Sequence, residues 1–275
     1  RAKNKYERVD DSGAIADYTK AIEINPRYAE AYNNRGLAKR KLGDNYGAIA
    51  DYSKAIEINP RDEDAYNNRG NAKGDLEDYD GAISDYTKAI EINPRDALAY
   101  YNRGWVKGDL EDYDGAIADY SKAIEINPND GDAHYKRGNA KGRLKDYEGA
   151  ILDFNKLIEI NPKDASAYSY RGSIKEKLED YDGAIADYSK AIEINPRDED
   201  AYNNRGWVKD ELKDYDGAIA DYSNAIEINP ESADAYVNRG ISKELIGDLK
   251  GACSDWREAS YLGDQDAAKW LKEDC

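Results

Sequence analysis

The sequence predicts an all-α solenoid built from tandem two-helix units. Three observations carry the prediction. Every proline recurs at one fixed spacing, the segments between prolines hold apolar stripes of helical period, and the composition is too polar for one spherical core. The chain has 275 residues, of which 40% are hydrophobic and 35% charged. That length ordinarily suggests one or two globular domains. An elongated array, in which each unit touches only its neighbours, suits the polar balance better. Tyrosine, with 24 occurrences against one Phe and no Met, must supply much of the apolar contact while its hydroxyl reaches water.

The spacing comes first because a repeat decides the fold. Pro26, Pro60, Pro94, Pro128, Pro162, Pro196 and Pro230 each follow an asparagine, every 34th residue. Seven full units result, at 29–62, 63–96, 97–130, 131–164, 165–198, 199–232 and 233–266. A partial unit at 1–28 precedes them, and a capping helix over 264–275 follows.

Each unit reads as two helices. Asp62, Asp96, Asp130, Asp164 and Asp198, with Ser232 in the last unit, stand where an N-cap oxygen would accept from free first-turn N–H groups. The second helix is expected to start near Gly-Ala pairs such as Gly81-Ala82 and Gly115-Ala116. It should end before Asn-Pro, because proline cannot continue it. Ala48, Tyr52, Ala55, Ile56 and Ile58 include an apolar stripe of helical period. Neither helix buries its stripe alone, so stacking must close the core.

Tyr66, Gly70, Ala82, Tyr86, Ala89 and Pro94 follow the order aromatic, small, Ala, aromatic, Ala, Pro. This pattern resembles the tetratricopeptide repeat family, and it recurs in all seven units. The small site is Gly36, Gly70, Gly104, Gly138, Gly172, Gly206 and Gly240. Glycine there costs about 1 kcal/mol of helix propensity, so a close helix approach is expected to offset it. The resemblance implies an open right-handed superhelix whose first helices line a concave groove. The chain also departs from the family. Arg69 and Lys73, four apart on one helical face, stand where the family usually has an apolar and an aromatic residue. Asp85 precedes the second-helix aromatic. These types recur in every unit and read either as an Arg–Asp ion-pair ladder between helices or as solvated charges of little energetic weight.

The ends differ from the middle. Arg1 aligns with the middle of a first helix, so the N-terminus reads as cut from a longer protein. At the other end Gly263 breaks the last second helix. Asp264 can cap a helix through Ala268, Trp270 and Leu271, whose apolar face covers the end of the stack. That cap argues against a domain following Cys275. The two cysteines, Cys253 and Cys275, lie about ten residues before the break and about twelve after it. At about 1.5 Å per residue the two sulfurs reach matched depths across the hairpin. A disulfide there would contribute about 3 kcal/mol. The alternative is a small buried residue at Cys253 and an incidental thiol at Cys275, which a reducing cytoplasm would favour.

Catalytic constellations are missing. His134, the only histidine, fills the site held by Tyr32, Tyr66 and Tyr100 and reads as an aromatic substitute. There is no HExxH helix or phosphate-cradling glycine loop. The carboxylates of EDYDGA and NPNDGD lack EF-hand order and fit helix capping instead. No cofactor or metal is implied. A net charge of -17 makes nucleic acid and anionic membrane surfaces poor partners. No stretch is apolar enough for membrane insertion.

What remains is the face that the resemblance assigns to the groove. Asn34, Asn68, Asn102, Lys136, Tyr170, Asn204 and Asn238 occupy one register. The five asparagines look like the asparagine ladder of the repeat superhelix in O-linked N-acetylglucosamine transferase. An amide offers both a donor and an acceptor, so it can satisfy a peptide C=O and N–H without reading sequence. The alternative is a small polar residue on a solvated helix. Three positions on stand Leu37, Asn71, Trp105, Asn139, Ser173, Trp207 and Ile241. Trp105 lies one turn from Tyr101, and Tyr135 and Tyr170 fall on the same side. These aromatics read as binding anchors, or, for Trp105 and Trp207, as packing against the neighbouring unit. Lys136, Arg143 and Lys177 between Asp64, Asp75, Asp109, Asp200 and Asp210 give an acidic–basic–acidic order.

The sequence therefore favours a non-enzymatic scaffold, or adaptor, that holds a protein or an extended peptide in its groove. Two alternatives stay open: the substrate-recruiting arm of a larger enzyme whose catalytic part precedes residue 1, and a spacer without ligand. The cytoplasm is the default compartment. A Cys253–Cys275 disulfide would instead point to export or another oxidising compartment.

Overall fold

A computed structural model describes residues 11–273 and Cys275. The expectation for the first ten residues lies outside them. The described residues form an all-α chain of sixteen helices. In order these are α1 (Asp11–Ile24), α2 (Ala29–Lys41), α3 (Asn45–Ile58), α4 (Glu63–Gly74), α5 (Tyr79–Ile92), α6 (Ala97–Asp109), α7 (Tyr113–Ile126) and α8 (Gly131–Arg143). There follow α9 (Tyr147–Ile160), α10 (Ala165–Lys177), α11 (Tyr181–Ile194), α12 (Glu199–Glu211), α13 (Tyr215–Ile228), α14 (Ala233–Leu245), α15 (Leu249–Tyr261) and α16 (Gln265–Glu273). Two compact units divide the chain, Arg1–Ala140 and Lys141–Cys275. Within the first, α2–α3, α4–α5 and α6–α7 are helical hairpins; within the second, α10–α11, α12–α13 and α14–α15 are. Helix–turn–helix pairs in tandem, closed by a C-terminal capping helix, are the architecture.

The caps explain the boundaries. Asp62, Asp96, Asp130, Asp164 and Asp198 accept from first-turn N–H groups, Asp62 from Ala65 N at 3.1 Å. Ser232 does not: its side chain makes no capping hydrogen bond, a correction to the expectation. The second helices begin two residues before the Gly-Ala pairs. The reason is a second row of N-caps, in which Asp78 accepts from Gly81 N and Asp112 from Gly115 N. They end where Asn-Pro was expected to end them, at Ile58, Ile92 and their counterparts. The residue closing the turn between paired helices has a left-handed backbone: Gly43 (φ 85°) and Gly247 (φ 86°), but also Glu77, Glu111, Lys145, Glu179 and Lys213, near 60°. A side chain in that region costs about 1–2 kcal/mol.

Small residues let paired helices touch. Ala48, Tyr52 and Ala55 of α3 are buried, whereas Ile56 and Ile58 are only partly so. The small site is tight as expected: a Cβ on Gly70 would stand 2.7 Å from the Tyr86 ring, itself fully buried. His134 is buried in the tyrosine slot, its Nε2 3.1 Å from Pro128 O.

The Arg–Asp ladder exists. Arg69 donates from Nε and Nη2 to both Asp85 oxygens at 2.8 and 2.7 Å. Lys73 Nζ lies 2.8 Å from Asp85 Oδ2 and also donates to Gly81 O at 3.3 Å. The third guanidinium nitrogen reaches the preceding repeat, where Ser53 Oγ accepts at 3.1 Å. One arginine thus joins α4 to both α5 and α3, and its Cζ sits 5.6 Å from the Tyr66 ring centroid. The same node recurs at Arg35, Arg103, Arg171, Arg205 and Arg239. The carboxylates are almost inaccessible, and the Asp85 hydrogen bond holds the Arg69 pKa above its usual range. A buried carboxylate met by two cations and a bidentate fork is a satisfied one.

At the C-terminus Asp264 caps α16 by accepting from Ala267 N at 2.7 Å. Ala267, rather than Ala268, is the fully buried alanine. It packs with Ala252, Trp256 and Ala259, flanked by Trp270 and Leu271. The Trp256 and Trp270 rings lie 5.3 Å apart. Cys253 and Cys275 form a disulfide, with Cα atoms 5.8 Å apart.

Candidate functional site on the first helices

Beside the node residues, about 100° round each first helix, stands a second set of side chains. In the first unit this second set begins with Asn34, half-exposed on α2. Asn68 donates from Nδ2 to Asn33 Oδ1 at 3.1 Å, and Asn102 does the same to Asn71 Oδ1 at 3.1 Å. Asn71 Oδ1 also accepts from Tyr86 OH at 2.8 Å. The expected asparagine register is therefore partly cross-linked from repeat to repeat, leaving the carbonyl oxygen and one N–H of Asn68 and Asn102 on offer. Asn33, with its place in this relay, was missed from sequence, although the recurring Asn-Asn dipeptide was its signal. Tyr101 leans on Tyr120 with centroids 5.7 Å apart, and burial raises its pKa. Trp105 packs against the cluster of Ala82, Tyr86 and Val106. The packing alternative thus describes Trp105. Tyr135 and Lys136 on α8 are half-exposed.

In the second unit Tyr170 stacks on Phe154 with centroids 5.9 Å apart. Asn204 is exposed and Asn238 half-exposed on their helices. Neither forms a side-chain hydrogen bond among the described residues. Trp207 is 39% exposed, an unusual state for so large a ring. It lies on α12 one turn from Asn204 and from Asp210, so the three share a helix face. Asp210 accepts from Tyr222 OH and from Ser242 Oγ, each at 2.8 Å. Its burial nevertheless raises its pKa. Asp64 and Asp200, in the first turns of α4 and α12, are raised by burial as well. In the first unit Asp75 is engaged by Arg40, Nε to Oδ2 at 2.7 Å, so it offers less free charge than sequence suggested.

Two helices per 34 residues, a glycine against an aromatic and an Asn-Pro exit define a helical-repeat protein. The tetratricopeptide repeat model of the family matches residues 63–96, 97–130, 165–198 and 199–232. Related models of the repeat match 131–164, and 2–43 and 36–76. The chain belongs to the tetratricopeptide repeat family. Among solved structures it is similar to the MamA protein, with 28% identity, coverage of 62% of this chain and 94% of that one, and a TM-score of 0.57. It is also similar to YrrB, described as a repeat protein of this family with an unusual peptide-binding site. There the identity is 26%, the coverage 68% of this chain and 97% of that one, and the TM-score 0.57. The C-terminal part of a repeat protein from Cytophaga hutchinsonii shares the fold at 20% identity. It covers 83% of this chain and 94% of that one, with a TM-score of 0.73. Comparison with curated protein sequences gives no match.

Proposed function

We propose that the chain is a non-catalytic interaction scaffold that holds an extended polypeptide against the outward faces of its first helices. One observation carries the proposal. The interior positions of each repeat keep one chemistry from unit to unit, while the outward positions change among Asn, Lys, Tyr and Trp and keep unspent hydrogen-bonding capacity. A spacer needs no such variation. The likeness to YrrB supports the same reading, since that protein is described as having a peptide-binding site. Trp207, with Asn204 beside it, supplies an aromatic anchor of the kind enriched at interface hot spots, next to an amide. The acidic net charge favours neutral or basic polypeptide over nucleic acid.

Changing Asn68, Asn102, Asn204 and Asn238 together to Ala tests it. Each lost neutral hydrogen bond should weaken capture of a selected peptide by about 0.5–1.5 kcal/mol, measured by calorimetry. Helicity should persist. Unchanged affinity in the folded variant would exclude this face as the binding surface.

A further inference from the structure

The last hairpin carries a feature that peptide binding leaves unused. The Cys253–Cys275 disulfide opens onto a surface hollow of about 500 Å³ lined by Leu249, Lys250, Cys253, Ser254, Arg257 and Cys275. Lys250, Cys253, Ser254 and Arg257 follow the i, i+3, i+4, i+7 spacing of one helix face, so a cation stands one turn to either side of the sulfur. Both cations are exposed, and neither forms an ion pair among the described residues. The first-helix node cations differ, being held by buried carboxylates. Asp248, the nearest preceding acid, is engaged as the N-cap of α15, accepting from Gly251 N at 2.9 Å. Cys275 is exposed.

We propose that this hollow is a thiol–disulfide exchange site for small anionic thiols, and that exchange there unfastens the capping helix. The thiolate of the small molecule attacks Sγ of Cys275. A new S–S bond forms, the protein disulfide breaks, and Cys253 leaves as a thiolate that takes a proton from water. A second small thiolate then attacks the sulfur of the bound molecule, releasing Cys275 as a thiol and the small molecule as its own disulfide. Lys250 and Arg257 concentrate the anionic thiol and stabilise the thiolate that departs beside them.

The consequence follows from how α16 is held. Its Asp264 cap and buried Ala267 repeat the Asp62 cap and buried Ala65 of α4, so α16 occupies the place of a first helix. A full repeat holds its first helix chiefly against its own second helix. α16 packs chiefly on α15, in a cluster that Tyr236 and Val237 of α14 also join, and the disulfide fastens its far end. Exchange therefore leaves a nine-residue helix anchored by Ala267, Trp270 and Leu271 over Trp256.

The test uses the whole oxidised chain at low ionic strength. Three probes are compared at equal thiolate concentration, 3-mercaptopropionate, 2-mercaptoethanol and cysteamine, and each rate is divided by that of the same thiolate with a small uncharged disulfide, because nucleophilicity rises with thiol pKa. Intact mass follows the mixed disulfide, and hydrogen exchange follows the α16 amides. The anionic probe is expected to react about tenfold faster than the cationic one, with the gap shrinking as salt rises. Lys250→Gln with Arg257→Gln is expected to abolish or reverse the order, because the net charge of the chain then favours cysteamine. The α16 amides should lose protection as the mixed disulfide forms. Cysteamine reacting as fast as the anionic thiol on the unmodified chain would overturn the site. Mixed-disulfide formation with unchanged α16 protection would overturn the latch.

Discussion

Asn68 and Arg69 are adjacent residues of one helix, and their counterparts behave in opposite ways along the chain. The arginine position never changes, and its side chain reaches a buried aspartate and a serine of the previous repeat. The asparagine position becomes Lys136 and Tyr170, and its side chains range from cross-linked to exposed. The contrast separates two demands on one helix. Stacking imposes the same geometry on every unit, so positions that serve it repeat. Positions that face away from the stack are released from that demand and can follow a ligand. In this family member the stacking interface is built partly from charge, because each node brings its own counter-ions and hydrogen bonds.

The largest effect should come from breaking a node. Asp187→Ala leaves Arg171 and Lys175 without their buried counter-ion and short of full hydration, and should cost about 3–5 kcal/mol. Denaturant melts and amide protection across α10 and α11 would show it. A cost below about 1 kcal/mol would mean the node behaves as a solvated pair.

The two groove tryptophans sharpen the contrast. Trp105→Ala empties a site against Val106 and Tyr86 and should lower stability by about 2 kcal/mol, with little direct effect on binding. Trp207→Ala should leave stability within about 0.5 kcal/mol and weaken peptide binding by about 2 kcal/mol. Exchange of these two outcomes would reverse the assignment of packing and binding roles.

The smallest effect has the opposite sign. Glu179 closes its turn at φ 59°, where Gly43 and Gly247 serve elsewhere. Glu179→Gly should relieve the strain and stabilise the chain by about 1 kcal/mol. A destabilised variant would show that the Glu179 side chain contributes more than its backbone costs.

Much of this was legible in the sequence. Asn-Pro at constant spacing set the unit and the helix ends, because proline lacks the donor that a helix needs. The aspartates at 62, 96, 130, 164 and 198 set one row of caps. The second row is present in EDYDGA, but the Gly-Ala pair is the stronger local signal and lies two residues inside the helix start. Arg69 with Asp85 could be paired, since both recur. The Ser53 leg could not, because it belongs to the neighbouring repeat and a serine there also satisfies its own helix. The two tryptophans were indistinguishable by register. Only three-dimensional packing separates a ring packed against Val106 from one that is 39% exposed.

The central claim is that the outward first-helix face, and not the stack, meets the ligand. The most direct measurement labels the four tryptophans with fluorine and follows their resonances while an extended peptide, selected by display against the whole chain, is titrated in. The account predicts that the Trp207 resonance shifts in proportion to bound peptide while that of Trp256, buried under the capping helix, stays in place. A peptide that saturates the chain without moving Trp207 would contradict it.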